Sequence, residues 1–147
     1  MIRVAAIQYK PPKGNLKVAR GELFELISQA IGMNAQLIVC PEMATSGYIW
    51  NSPEELAPHA ETLHGETALL LKGLSKTHQV TIICGFPEQI EKTLYNSAMI
   101  ATPWGHVYAY QKVLLYESDK SWARRGDKRV LIESPIGTIF PAICMDI

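Results

Sequence analysis

Two short apolar runs, "AQLIVC" (35–40) and "VTIICGF" (80–86), constrain this chain more than any other feature. A strand with one wet face alternates apolar and polar residues. A run with little alternation fits a strand covered on both faces. A segment of helical character precedes each run. In "LKVARGELFELISQAIG", Leu16, Ala19, Leu23, Leu26, Ile27, Ala30 and Ile31 recur at helical spacing, with Asn15 as N-cap and Gly32 and Asn34 at the end. "ETALLLKGLSKTHQ" (66–79) reads as a second helix, and residues 44–64, with Gly47, Pro53 and Pro58, as a loop. With "IRVAAIQY" (2–9) as an opening strand, the order is strand–helix–strand–loop–helix–strand. That order predicts an α/β layered fold with helices packed on a sheet.

The second half of the chain changes character. "TLYNSAMIAT" (93–102) and "HVYAYQK" (106–112) flank Pro-Trp-Gly and read as a hairpin. "RVLIES" (129–134) and "GTIFPAIC" (137–144) flank a second turn, so the sheet is expected to be mixed. The chain has 147 residues, 48% of them hydrophobic and 19% charged, which suits one domain, 1–147, around one core. Fourteen basic residues balance fourteen acidic ones. A neutral chain has no overall field to hold a polyanion, so nucleic acid is not an expected partner. The basic run "KSWARRGDKR" reads as a solvated loop. No apolar run reaches the roughly 20 residues that cross a bilayer, and the N-terminus does not read as a signal peptide. Cysteines at 40, 84 and 144 are too widely spaced for a metal cluster and odd in number for a disulfide framework. A reduced, cytoplasmic protein without metal or cofactor is the expectation.

Three polar residues lie beside the ends of apolar strands: Glu42 after "LIVCP", Lys112 closing "HVYAYQ" and Cys144 closing "TIFPAI". Strand ends are where ligands collect in layered α/β folds. Singly, each has a plain structural reading: a solvated carboxylate, a surface lysine, a small buried thiol. Together they are chemically suggestive. A thiol attacks carbon as thiolate. A carboxylate can take its proton, and an ammonium can stabilise the thiolate and the oxyanion that follows. The four histidines are scattered and form no motif with a cysteine.

At this point the sequence resembles a family. "LIVCPEMATSGY" looks like the glutamate motif of the nitrilase superfamily, the carbon–nitrogen hydrolases. "YNSAMIATPWGHVYAYQKVLLYE" resembles its central lysine stretch, and "SPIGTIFPAICMDI" its nucleophile motif. The three stand in family order and span essentially the whole chain. Phe140 replaces the glycine usually found four residues before the cysteine. The resemblance implies a layered α-β-β-α sandwich. The chain stops three residues after Cys144, and family domains are nearly twice as long, so only the N-terminal half to two-thirds of that sandwich is expected.

The resemblance also implies chemistry. Cys144 would be the nucleophile on an amide, carbamoyl or nitrile carbon, Glu42 the general base, and Lys112 the oxyanion partner. Glu117 and Asp119 are two candidates for the second carboxylate that the family often carries after the lysine. Asn96 and Ser97 are expected to support the site, and Tyr48 and Trp122 to line the pocket. A small-amide substrate is the first reading, because the "PEMATSGY" loop resembles the amidase-like branches. Exposed strand edges and apolar faces predict a homo-oligomer or pairing with a complementary chain. The alternatives are a non-catalytic remnant acting as a binding or assembly partner and, more weakly, a thiol redox protein, which lacks a C-x-x-C pair.

Overall fold

A computed structural model describes all 147 residues. One five-stranded sheet carries the fold, in the order β1-β2-β3-β4-β5. The strands are β1 (Val4–Ala6), β2 (Leu37–Val39), β3 (Thr81–Ile90), β4 (Thr93–Ala101) and β5 (Val107–Gln111). The helices are α1 (Leu16–Gly32), α2 (Pro53–Leu56) and α3 (Glu66–His78). β1, β2 and β3 pair in parallel, whereas β3, β4 and β5 form an antiparallel meander. The sheet is therefore mixed, as the sequence pattern predicts.

The helices form where the apolar spacing predicts them. Asn15 Oδ1 accepts the Val18 N–H and caps α1. Ala19, Leu23, Ile27 and Ala30 make its buried stripe. α3 buries Thr67, Ala68, Leu71 and Ser75 and closes on Gln79 in the left-handed conformation. Both stripes meet one face of the sheet, where Ile38, Ile82, Cys84, Phe86, Met99 and Ala101 complete the main core. Complete burial of side chains such as Leu23 or Phe86 stabilises by about 1.5–3 kcal/mol each.

Successive strand residues point to opposite faces. The other face carries Gly85, Asn96, Ala98, Ile100, Tyr110 and Lys112. A smaller cluster covers part of it, in which Ile132 and Ile143 pack on Ala98, Ile100 and Tyr110. Val4, Tyr108, Leu131, Phe140 and Met145 stay exposed.

Several boundaries depart from the sequence reading. β1 covers only Val4–Ala6 of the expected 2–9. β3 runs on through Pro87 to Ile90 and pairs with β4 around a Glu91–Lys92 turn, with Glu91 at φ 54°. Pro87 belongs to the antiparallel β3–β4 hairpin and is buried. The expected loop 44–64 contains the short α2. The expected hairpin of 129–134 and 137–144 reduces to one bridge, Ile132 with Ile139. Pro141 has no N–H to continue such a ladder. Cys144 does not end a regular strand. It opens a single 3₁₀ turn, Cys144–Asp146.

Candidate active site

Glu42 is delivered by the C-terminal end of the parallel pair β1–β2. After Val39 the ladder continues through Cys40, whose N–H donates to Ile83 O at 2.8 Å. The backbone then turns across β3: Gly85 N–H donates to Pro41 O at 3.1 Å, and Ala44 N–H to Gly85 O at 2.8 Å. This approach requires glycine at 85. A Cβ there would stand 2.5 Å from Pro41 O and 2.6 Å from Glu42 Cα. Met43 adopts φ 52°, and the Tyr9 hydroxyl donates to Ala44 O beneath the loop.

Lys112 is the residue after β5. Its N–H donates to Asn96 O at 2.8 Å, so the β4–β5 ladder still holds it. Its side chain is 1% exposed. Nζ donates to Glu42 Oε1 at 2.8 Å and to Asp119 Oδ2 at 2.6 Å. Asn96 Nδ2 donates to the same Glu42 oxygen at 2.7 Å. Glu42 Oε2 is thus left to other partners. Burial alone would push the Lys112 ammonium down, but Asp119 and Glu42 outweigh it and hold the group above its ordinary value. Lys112 therefore stays charged at neutral pH.

Of the two candidate second carboxylates, only Asp119 reaches the lysine. It is buried in a short turn, Asp119–Ser121, and also accepts the Tyr116 N–H at 3.2 Å. Glu117 has an 80% exposed side chain and pairs with Lys120. An aspartate beside Lys112 needs no long reach, whereas Glu117 lies on the outside of the same bend.

Cys144 is exposed, with φ 49°, in the left-handed region that costs a non-glycine residue of order 1–3 kcal/mol. Glu42, Tyr48, Ile49, Lys112, Tyr116, Ser118, Asp119 and Cys144 line one cleft of about 300 Å³. Desolvation of its hydroxyl first, and then the neighbouring Glu42, push half-exposed Tyr48 above its ordinary range, so its hydroxyl stays neutral. Ile49, at φ 66°, is another strained residue on this wall. Trp122 does not line the cleft. It is buried with Met43, Trp50, Leu56 and Leu94, because the turn after Asp119 carries it into a separate apolar cluster. Ser97 faces the other side of the sheet, donating to Glu88 Oε2 at 2.8 Å. No group of His, Cys, Asp and Glu has metal-site geometry.

A sequence model of the carbon–nitrogen hydrolases matches residues 3–147. The chain belongs to the carbon–nitrogen hydrolase family. Its relatives in that family include a nitrilase of Pyrococcus abyssi, 33% identical over 132 residues, covering 86% of this chain and 49% of that protein. The protein N-terminal amidase of Schizosaccharomyces pombe is 32% identical over 160 residues, covering 99% of this chain and 55% of its own length. This carbon–nitrogen hydrolase chain thus spans about half the length of those curated relatives. In fold it resembles the solved XC1258 protein of Xanthomonas campestris, a CN-hydrolase superfamily protein, with a TM-score of 0.85, 23% identity and coverage of 99% and 54% of the two chains. The family is one of hydrolases, and the layered α/β architecture agrees with this neighbour. Two residues that shape the site carried no role in the sequence reading: Gly85 and Asp146. A glycine inside an apolar strand is a sign of close backbone approach. The Cys-x-Asp spacing marks the second.

Proposed function

We propose that the chain carries the catalytic groups for hydrolysis of a non-peptide carbon–nitrogen bond in a small amide, carbamoyl compound or nitrile. The observation that carries this reading is the convergence of Glu42, Lys112 and Cys144 on one cleft, with Lys112 bridging Glu42 and Asp119. In the proposed reaction on an amide, Glu42 takes the Cys144 thiol proton and the sulfur attacks the carbonyl carbon. The charge that develops on oxygen is stabilised by the Lys112 ammonium. The C–N bond breaks, the proton on Glu42 passes to the departing nitrogen, and ammonia or an amine leaves a thioester. Water then loses a proton to Glu42 and attacks the thioester. The C–S bond breaks, the carboxylic acid departs, and the thiol is restored. Asp119 keeps Lys112 charged and aimed. No cofactor enters these steps.

Substrate choice follows the relatives only in outline. Their names include nitrilase, amidase and protein N-terminal amidase, and solved N-terminal amidase structures contain Asn-Glu and Gln-Gly peptides. Small amides remain the first reading for this chain. The test is ammonia release over a panel of small amides, nitriles and short peptides beginning with Asn or Gln. Turnover lost in Cys144→Ala supports the reading, and turnover kept in that variant contradicts it.

The reading extends to assembly and place. Exposed Val4, Tyr108, Leu131, Phe140 and Met145 suit pairing with a second copy or a complementary chain, which light scattering would detect. The same exposure favours the second reading, a non-catalytic assembly partner, which a folded but inactive chain would support. No helix is long and apolar enough to cross a membrane. Three free cysteines suit a reducing, cytoplasmic setting.

A further inference from the structure

The nucleophile turn has little regular structure to hold it. Residues 140–143 join no strand, and Cys144 is in a strained conformation. One carboxylate ties the turn to the sheet. Asp146 Oδ1 accepts the N–H groups of Val113 at 3.1 Å and Leu114 at 2.8 Å, the two residues that follow Lys112. Asp146 Oδ2 accepts the Ile143 N–H at 3.0 Å, immediately before Cys144, and the Tyr110 hydroxyl at 2.8 Å. A single side chain therefore joins the backbone on the near side of Cys144 to the backbone on the far side of Lys112. It does so with four hydrogen bonds to a charged acceptor, the stronger kind.

The geometry points to Asp146 as the positioning residue that sets Cys144 against Lys112. The inference rests on the reading of Cys144 as nucleophile. Asp146 does not line the cleft. It acts by fixing two backbone segments, and a displacement of about 1 Å at a reacting group can cost about a hundredfold in rate. Buried Tyr110 supports it from β5 through a half-buried hydrogen bond. Its hydroxyl, raised to about 12 by burial and then by the hydrogen bond to Asp146, remains a donor at any neutral pH.

The test measures the second-order rate of Cys144 alkylation by iodoacetamide at pH 7, alongside the melting temperature, in the full 147-residue chain. Asp146→Ala should slow alkylation about a hundredfold. Asp146→Asn should recover most of this. Its side-chain oxygen still accepts from Val113 and Leu114 and its amide can donate to the Tyr110 oxygen, so only the Ile143 bond is lost. A residual loss within about tenfold fits one hydrogen bond. Tyr110→Phe should lie within the same range. A purely structural role would lower the melting temperature without this graded order. Should Asp146→Ala fail to fold, the Asn and Phe variants decide alone. Alkylation as fast as, or faster than, wild type in the folded Asn and Phe variants overturns the proposal. Hydrolysis retained in Cys144→Ala overturns the nucleophile reading itself, which separates the two failures.

Discussion

The two sides of the cleft are built in different ways. On one side Glu42 and Lys112 follow strands held in the sheet's hydrogen-bond ladder, Asp119 reaches the lysine from a short turn, and Lys112 and Asp119 are almost fully buried. On the other side Cys144 is exposed on an irregular turn held by Asp146. The difference teaches that the charged groups are part of the fold, whereas the proposed nucleophile, Cys144, is an attachment to it. Removing a buried partner should cost stability and activity together. Removing the exposed thiol should cost activity alone.

The largest effect expected is that of Cys144→Ala. Its hydrolytic activity should fall to background, by about a millionfold, the scale for removing a nucleophile. Its unfolding free energy should stay within about 0.5 kcal/mol of wild type, as for other exposed substitutions. A large loss of stability in urea titration would erase the contrast between the two sides.

Lys112→Ala tests the other side. It leaves Glu42 and the buried Asp119 without their shared cation, so stability should fall by about 3–5 kcal/mol. Activity should fall by about a hundredfold to a thousandfold. An unchanged urea midpoint would mean that the cluster is not part of the fold. Glu42→Gln sharpens this result, because the glutamine oxygen can still accept from Lys112 and Asn96. About a hundredfold loss of turnover is expected, with only about 1 kcal/mol of stability.

Gly85→Ala reaches the same side from below. Its methyl would meet Pro41 O at 2.5 Å, so the Glu42 loop must shift. About 1–3 kcal/mol of stability should be lost to overpacking. A rate that stays at the wild-type level would show that the loop can yield without moving the carboxylate.

The smallest effect is on pH dependence. Burial lowers the Lys112 pKa, but Asp119 and Glu42 raise it further, so the folded value lies above the unfolded one. The stability this adds is fully present below about pH 10.4, the ordinary lysine value, and is lost as pH rises through the folded value. The melting temperature should therefore fall at strongly alkaline pH, and less steeply in Lys112→Met. Tyr110 is raised to about 12, and Tyr9 and Tyr48 are raised as well, so all three weaken the fold in the same alkaline direction and only the difference between wild type and Lys112→Met reports the lysine. Equal slopes in wild type and Lys112→Met would contradict the assignment.

Much of the scaffold was legible because it is local. Helix α1 was readable from its apolar spacing and Asn15, and the hairpin β4–β5 from its turn residues. The proline inside β3 hid that strand's extension to Ile90, because a residue without an N–H argues against a strand interior, whereas Pro87 stands in register opposite Asn96. The end of the chain misled for a related reason. "TIFPAIC" has the composition of a strand, yet Pro141 lacks the donor for a ladder, and only Ile139 pairs. In the site, the residue types at 42, 112 and 144 stood out beside apolar runs. The choice between Glu117 and Asp119, and the packing of Trp122 away from the cleft, depend on how one turn folds over the lysine. The role open to Asp146 appears only when residues 110, 113, 114 and 143 come together in space.

The most direct test of the central claim is to stop turnover with acid and map the peptides by mass spectrometry. With an amide that releases ammonia, the peptide containing Cys144 should carry the substrate's acyl group as a thioester. Peptides containing Cys40 and Cys84 should not, because both thiols are buried. Ammonia release with no acyl group on Cys144, and undiminished in Cys144→Ala, would contradict the account.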